Sequence, residues 1–174
     1  MEYAEPGRVE KLSPEQFEEF YATTKAALRS YICRVASNAT VADDILQESY
    51  IRLLSAPPIP VEKRKAYLYR VATNLITDHR RGVTRQQRWW QWAVRSERSV
   101  DAGLDVISDM HQLFAHIGAR ERALLWLAYV EGSEHREIAE ILHVREKSVR
   151  VLLHRARRTM EAVLRKHGYE AGHD

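Results

Sequence analysis

An all-α chain of two small helical domains joined by a linker, the C-terminal one a helix-turn-helix, is what three observations predict. Apolar residues recur at near 3.6-residue spacing through two long stretches, and strict period-two alternation, the mark of a strand, is missing. Between those stretches, residues 82–106 lack a clean apolar stripe. Finally, "HREIAEILHVREKSVRVLLHRARR" at positions 135–158 divides into two short amphipathic helices around a bend. At 174 residues, with 45% hydrophobic and 29% charged residues, the chain can bury a core as one ordinary domain or two small ones, and its composition argues against disorder.

Each element has its own signal. Ser13-Pro14-Glu15-Gln16 reads as a helix start, with Ser13 as N-cap, proline at the first helical position and Gln16 at the capping-box position. Phe17, Phe20, Tyr21, Leu28, Tyr31, Ile32 and Val35 then share a face, and "SNAT" breaks the helix. "VADDILQESYIRLLS" is the second helix, turning Val41, Ile45 and Leu53 inward, and "APPIP" stops it. The third, "VEKRKAYLYRVATNLITDHRR", buries Leu68, Val71, Ala72, Leu75 and Ile76 and is expected to end at Gly82. Beyond the linker, Ile107, Met110, Phe114 and Ile117 mark one helix, Arg120 to Val130 another, and Glu131-Gly132 a turn. In the closing pair, Ile138, Ala139 and Leu142 face Val149, Leu152, Leu153, Ala156 and Met160, with Val144 plugging the bend.

Formal charge is +3, but the signs are segregated. Residues 1–55 hold 6 Lys/Arg against 9 Asp/Glu, residues 143–167 hold 8 against 2, and residues 79–98 hold six arginines against Glu97 alone. Two basic blocks suit a polyanion touched in two places, and an acidic start suits a different, basic partner. On the last helix Lys147, Arg150, Val151, His154, Arg157 and Arg158 are left facing outward. Guanidinium groups for guanine edges or phosphates, with a small apolar group for a thymine methyl, are what a major-groove helix presents. On the second helix Asp44, Gln47, Glu48 and Ile51 fall at i, i+3, i+4 and i+7; an acidic stripe repels phosphate and so should meet protein. On the third, Tyr67, Arg70, Asn74 and Arg81 lie away from the buried face, a set of ring, amide and cations that suits unpaired bases.

Other chemistries find little support. Cys33 is the only cysteine, which rules out an internal disulfide and a cysteine-based zinc site, and reads as a small core residue. No close histidine pair has a third ligand, His111 and His116 being five residues apart, so neither metal nor cofactor is expected. Asp43 and Asp44 without further positioned ligands make a poor catalytic centre, so the chain is predicted not to be an enzyme. No run approaches the roughly 18 apolar residues of a membrane span, so a cytoplasmic protein without membrane contact of its own is expected. Trp89, Trp90 and Trp92 read as ordinary packing, with stacking on DNA, docking on the second domain or binding of a regulator as the alternatives.

"IGARERALLWLAYVEGSEHREIAEILHVREKSVRVLLHRARRTM" resembles the C-terminal DNA-binding domain of sigma-70 family initiation factors, especially the extracytoplasmic-function (ECF) group. "VADDILQESYIRLL" resembles the family's helix that grips core polymerase, and "KAYLYRVATNLITDHRR" its promoter-opening helix. The chain departs from the family pattern at Gly118, where proline is usual, at His143, for glycine, at Arg145, for a capping serine, and at Tyr67, for tryptophan. Arginine cannot accept a hydrogen bond from free helix amides, which leaves Ser148 as a cap for a shorter last helix. The resemblance implies a domain over 13–85 that binds core RNA polymerase and recognises and melts the −10 element. It further implies a linker over 86–106, and a domain over 107–167 that reads the −35 element. Promoter DNA and an anti-sigma protein are the other implied partners. Asp44, Gln47, Glu48 and Ile51 would meet a coiled coil of the largest polymerase subunit, Asn74 would sit at the upstream edge of the −10 element, and "SAPPIPVEKRKA" would form the loop that takes up a flipped base. A stand-alone helix-turn-helix regulator would explain the second domain but not the Asp44 stripe or the Asn74 face.

Overall fold

The computed structural model describes residues 11–93 and 113–169. They form helices α1 (Pro14–Ala36), α2 (Ala42–Ser55), α3 (Val61–Ala93), α4 (Ala119–Tyr129), α5 (His135–Leu142) and α6 (Glu146–Lys166), with a helical turn at residues 113–115 ahead of α4. The start of α1 is the expected capping box: Gln16 N donates to Ser13 Oγ at 3.3 Å, and Ser13 N donates to Gln16 Oε1 at 3.2 Å. Its end is closed by Ser37 in the left-handed region (φ 52°), whose amide donates to Cys33 O at 3.1 Å. Asn38 Oδ1 then accepts the Thr40 amide at 2.9 Å, turning the chain into α2. After α2 the Pro57-Pro58 loop is pinned by Arg64, 8% exposed, whose Nε donates to Ile59 O at 3.1 Å.

The third helix does not stop at Gly82. It runs on to Ala93, so the expected linker begins inside a helix. A glycine ends a helix by taking positive φ, and Gly82 is not among the residues that do. In a helix interior it costs only about 1 kcal/mol relative to alanine, and the residues that follow contain no proline before Ala93. The side chains of Trp89, Trp90 and Trp92, and residues 94–112 with Ile107 and Met110, lie outside the described residues.

The first three helices pack around Leu28, Tyr31, Ile32, Ile45, Leu46 and Leu68, all buried, and α1 and α2 share an aromatic seam in which Tyr21 meets Tyr50 edge-on at 4.8 Å. The last three close over Leu124, Leu127, Ile138, Ile141, Val149 and Leu153. These two sets belong to one continuous core, because α4 packs on α1 and α5 packs on α3. A smaller cluster of Ile117, Leu125 and Ala156, flanked by Phe114, Met160 and Val163, ties α4 to the far part of α6.

Buried polar groups mark the seam between the two halves. Arg122 on α4 is 4% exposed and donates through Nη1 to Ile117 O at 2.6 Å and Phe114 O at 3.1 Å, which anchors it in its own half. Through Nη2 and Nε it donates to Val35 O, at 2.8 and 3.1 Å, at the last turn of α1. Burial pulls its pKa down to about 10, which leaves it charged at neutral pH. Lys65 on α3 bridges Glu131 in the α4–α5 turn at 3.1 Å, and Trp126 Nε1 donates to the same carboxylate at 3.2 Å. Tyr31 and Tyr69 meet in the core at 5.0 Å with their rings tilted by 53°. Tyr31 and Thr73 are hydrogen-bonded at 2.7 Å, and since the Thr73 hydroxyl already donates to Tyr69 O, the phenol is the donor.

The helix-turn-helix bend is built on an unusual residue. His143 ends α5 at φ 51° and ψ 50°, and the Val144 amide reaches back to Ala139 O at 3.0 Å. Arg145 is the N-cap of α6 and makes no side-chain cap bond, yet the helix begins at Glu146 rather than at Ser148. Burial of Val149, Leu153 and Ala156 orders the first turns without a cap.

Candidate protein and nucleic-acid interfaces

On α2 the residues split by direction. Ile45, Leu46, Ser49, Tyr50 and Leu53 are buried, whereas Asp44, Gln47 and Ile51 are exposed and Glu48 is half-exposed. Asp43 is committed internally: Arg29 of α1 grips it through two bonds of 2.7 and 3.1 Å and holds its carboxyl below the usual range. Asp44 carries the outward charge. Glu48 is partly occupied by Arg52 one turn on, at 2.7 Å. The sequence reading missed Leu54, 46% exposed and one turn beyond Ile51, which is 48% exposed. Together they extend the acidic stripe into an apolar end, a pattern visible in sequence as one apolar residue too many for the buried face.

On α3, Tyr67 and Arg70 are half-buried, with the Arg70 guanidinium over the Tyr67 ring at 5.0 Å. They line a groove with the Pro57–Ile59 loop on one side and Ala139, Glu140, His143 and Val144 on the other. Asn74 and Arg81 are exposed and line a neighbouring groove with Thr77, Arg120, Leu142 and His143. All four residues therefore share one side of α3, but that side looks onto the helix-turn-helix. Tyr69 is 1% exposed and belongs to the core. Its phenol is raised above its ordinary range first by burial and then by the charge of the Glu131 carboxylate, which lies beside the hydroxyl without forming a well-aligned hydrogen bond to it.

On α6 the outward face is complete. Lys147, Arg150, Val151, His154, Arg157 and Arg158 are all exposed, opposite buried Val149, Leu153 and Ala156. None of the six takes part in an ion pair among the described residues, so their donors are available to a polyanion. Gly118, in the place of the usual proline, keeps an amide that proline lacks, and it donates to Glu121 Oε2 at 2.9 Å; Glu121 Oε1 accepts Thr159 Oγ1 at 3.0 Å, tying the start of α4 to α6. Arg122 had no sequence signal at all, because a buried arginine looks like any other cation on an amphipathic helix.

No helix among the described residues is long and apolar enough to cross a membrane. Residues 20–86 match Sigma-70 region 2, and residues 108–160 match Sigma-70, region 4. The ECF RNA polymerase sigma factor SigL of Mycobacterium tuberculosis is 30% identical over 161 residues, covering 85% of this chain and 88% of SigL. SigW of Bacillus subtilis is 24% identical over 176 residues, covering 91% and 94% of the two chains. In fold, the chain is similar to the sigma factor RpoE of Bartonella quintana, solved in complex with the anti-sigma factor NepR, with a TM-score of 0.70 at 16% identity over 87% of this chain and 98% of that one. It is also similar to CnrH, solved with the cytosolic domain of CnrY, at a TM-score of 0.64 and 19% identity over 88% and 90%. With both regions present in order and a relative matched over nearly its whole length, the chain belongs to the sigma-70 family, in its ECF group of RNA polymerase sigma factors.

Proposed function

We propose that the chain is an alternative sigma factor that binds core RNA polymerase and directs promoter-specific transcription initiation, acting as a binding protein and not as an enzyme. The observation that carries this reading is the pairing, in one chain and in family order, of an outward acidic stripe on α2 with an unpaired basic face on α6. The stripe of Asp44, Gln47, Glu48 and Ile51 is assigned to core polymerase. Tyr67, Arg70, Asn74 and Arg81 are assigned to the −10 element, and Lys147, Arg150, Val151, His154, Arg157 and Arg158 to the −35 element. Residues 13–85 and 107–167 are the corresponding domains, with 86–106 between them. Such a factor works where the polymerase does, so it is assigned to the cytoplasm, with an anti-sigma protein as its regulator, the kind of partner with which the Bartonella quintana relative was solved. Capture of core polymerase by the full chain, followed by run-off transcription from a responsive promoter, tests the whole reading. Sequence-specific DNA binding without polymerase capture would point to a stand-alone helix-turn-helix regulator instead.

A further inference from the structure

We propose that His116 and His167 form a binding site for a late first-row divalent transition-metal ion, of the class of Ni2+, Co2+, Cu2+ and Zn2+, on the side of the helix-turn-helix half opposite the basic face of α6. Three observations carry it.

The first is the geometry of the pair. The two imidazoles come from distant parts of the sequence, one just ahead of α4 and the other at the C-cap of α6, which is why residue spacing holds no sign of them. Their ring centres are 4.9 Å apart and their planes are tilted by 34°. Two imidazoles on one ion, with metal–nitrogen bonds of about 2.0–2.1 Å and an N–metal–N angle of about 90–110°, have centres roughly 4.5–5.2 Å apart. The observed separation falls inside that range. Ring packing alone is a poor reason for the pair, because both residues are exposed and their contact removes little apolar area from water.

The second is the hydrogen bonding of His167, which prepares it as a ligand. Its Nδ1 lies 2.8 Å from Val163 O, and a carbonyl only accepts, so Nδ1 carries the proton and Nε2 keeps its lone pair. Metal-binding imidazoles are commonly set in this way, with one nitrogen donating to a backbone carbonyl and the other turned to the ion. His116 makes no side-chain hydrogen bond or ion pair among the described residues, so its ring has no competing commitment.

The third is the rigidity of what carries the rings. Ile117, 3% exposed, follows His116, and Val163, which packs on the Ile117 cluster, lies one turn before His167. The His116 amide donates to Leu113 O at 3.2 Å, and the His167 amide to Leu164 O at 3.0 Å. His167 stands about five helical turns beyond buried Val149, at 3.6 residues per turn, so it continues the inward stripe of α6 and not the basic face. No third histidine, cysteine or carboxylate among the described residues joins the two in a metal-binding group. Water therefore fills the remaining positions, and the ion exchanges freely, unlike one in a closed structural site. A loaded site clamps the start of α4 to the far end of α6 and leaves the outward face open.

The test is metal titration of the full chain with His111 and His173 replaced by alanine, so that neither of these histidines, both outside the described residues, contributes. In calorimetry, Ni2+ binding is expected to weaken at least about tenfold in His116→Ala and in His167→Ala, a loss seen even when only a group supporting a ligand is removed. Circular dichroism checks that helix content is unchanged, as substitution of an exposed side chain predicts. Electron paramagnetic resonance of the Cu2+-loaded chain should count two coordinated imidazoles in the parent and one in each variant. At a Ni2+ concentration a hundredfold above Kd, the parent's Tm should rise by about 5 °C, and neither variant's should. No Ni2+ binding at millimolar metal, or binding and a Cu2+ spectrum that survive both substitutions, overturns the site. Coordination by both imidazoles without a rise in Tm leaves the site standing and overturns the clamp.

Discussion

His143 holds a left-handed backbone conformation that costs an L-residue roughly 1–2 kcal/mol, and it does so at the bend where the two helices of the DNA-reading unit meet. His143→Gly is therefore expected to raise stability by about 1 kcal/mol in urea denaturation, with promoter preference unchanged because the ring is not on the outward face of α6; a loss of stability would mean that the ring's contacts outweigh the backbone strain. A second reserve of free energy sits at Tyr69, whose buried hydroxyl makes no well-aligned hydrogen bond, the Glu131 carboxylate beside it notwithstanding. Removing an unsatisfied buried group recovers about 1–3 kcal/mol, so Tyr69→Phe should stabilise the chain. Tyr31→Phe should destabilise it, since that hydroxyl donates to Thr73. The same denaturation curves check both, and like signs for the two would contradict this account. Sequence separated neither pair of cases. His143 could be recognised only as an odd residue for its turn, and two tyrosines on one apolar stripe differ only in what their hydroxyls meet, which depends on neighbours far away in the chain.

At the scale of elements, periodicity carried most of the information. The capping box of α1, the inward faces of α2 and α3, the bend at His143 and the outward face of α6 all follow from 3.6-residue spacing and turn chemistry, because each reflects a local preference that packing reinforces. Gly82 is the counterexample: residue type suggested a stop, but the conformation that stops a helix was not adopted, and α3 ran on. Two predictions belong here. Replacing Asp44, Gln47 and Glu48 together with alanine should weaken core-polymerase capture while costing no more than about 0.5 kcal/mol of stability per exposed site; undiminished capture would remove the stripe from the interface. On α6, Arg150 lies near the helix start, the part assigned to the groove, and Arg157 two turns later, where phosphate is expected to be nearer than base edges. Arg150→Ala should remove about 1–3 kcal/mol of discrimination between the cognate −35 sequence and scrambled DNA. Arg157→Ala should weaken both and flatten the salt dependence. Competition between promoters in the holoenzyme at fixed salt separates the two effects.

Across the whole molecule, what sequence could not reveal is that the two helical halves share a core. Each apolar stripe announces that it will be buried, but not against which partner, and Arg122 and Glu131 look like surface charges until α1 and α3 are placed beside them. The face proposed for the −10 element is therefore both the best-patterned candidate site on α3 and the one most dependent on arrangement. Asn74 and Tyr67 project from the same side of the helix, Tyr67 beneath the Arg70 guanidinium, in a position to stack on or hydrogen-bond bases once the duplex is parted. Unstacking costs a few kcal/mol that these contacts must offset, so their loss should fall on opening and not on the initial encounter with duplex. Asn74→Ala and Tyr67→Ala holoenzymes are expected to show reduced permanganate reactivity of promoter thymines on linear templates, and near-normal activity on templates already melted at the −10 element, where the cost of unstacking has been removed. A tyrosine offers less stacking area than the tryptophan usual at this position, so Tyr67→Trp should increase reactivity on linear DNA above the parent. Equal losses on both templates would instead place these side chains in general affinity or in the seam with α5.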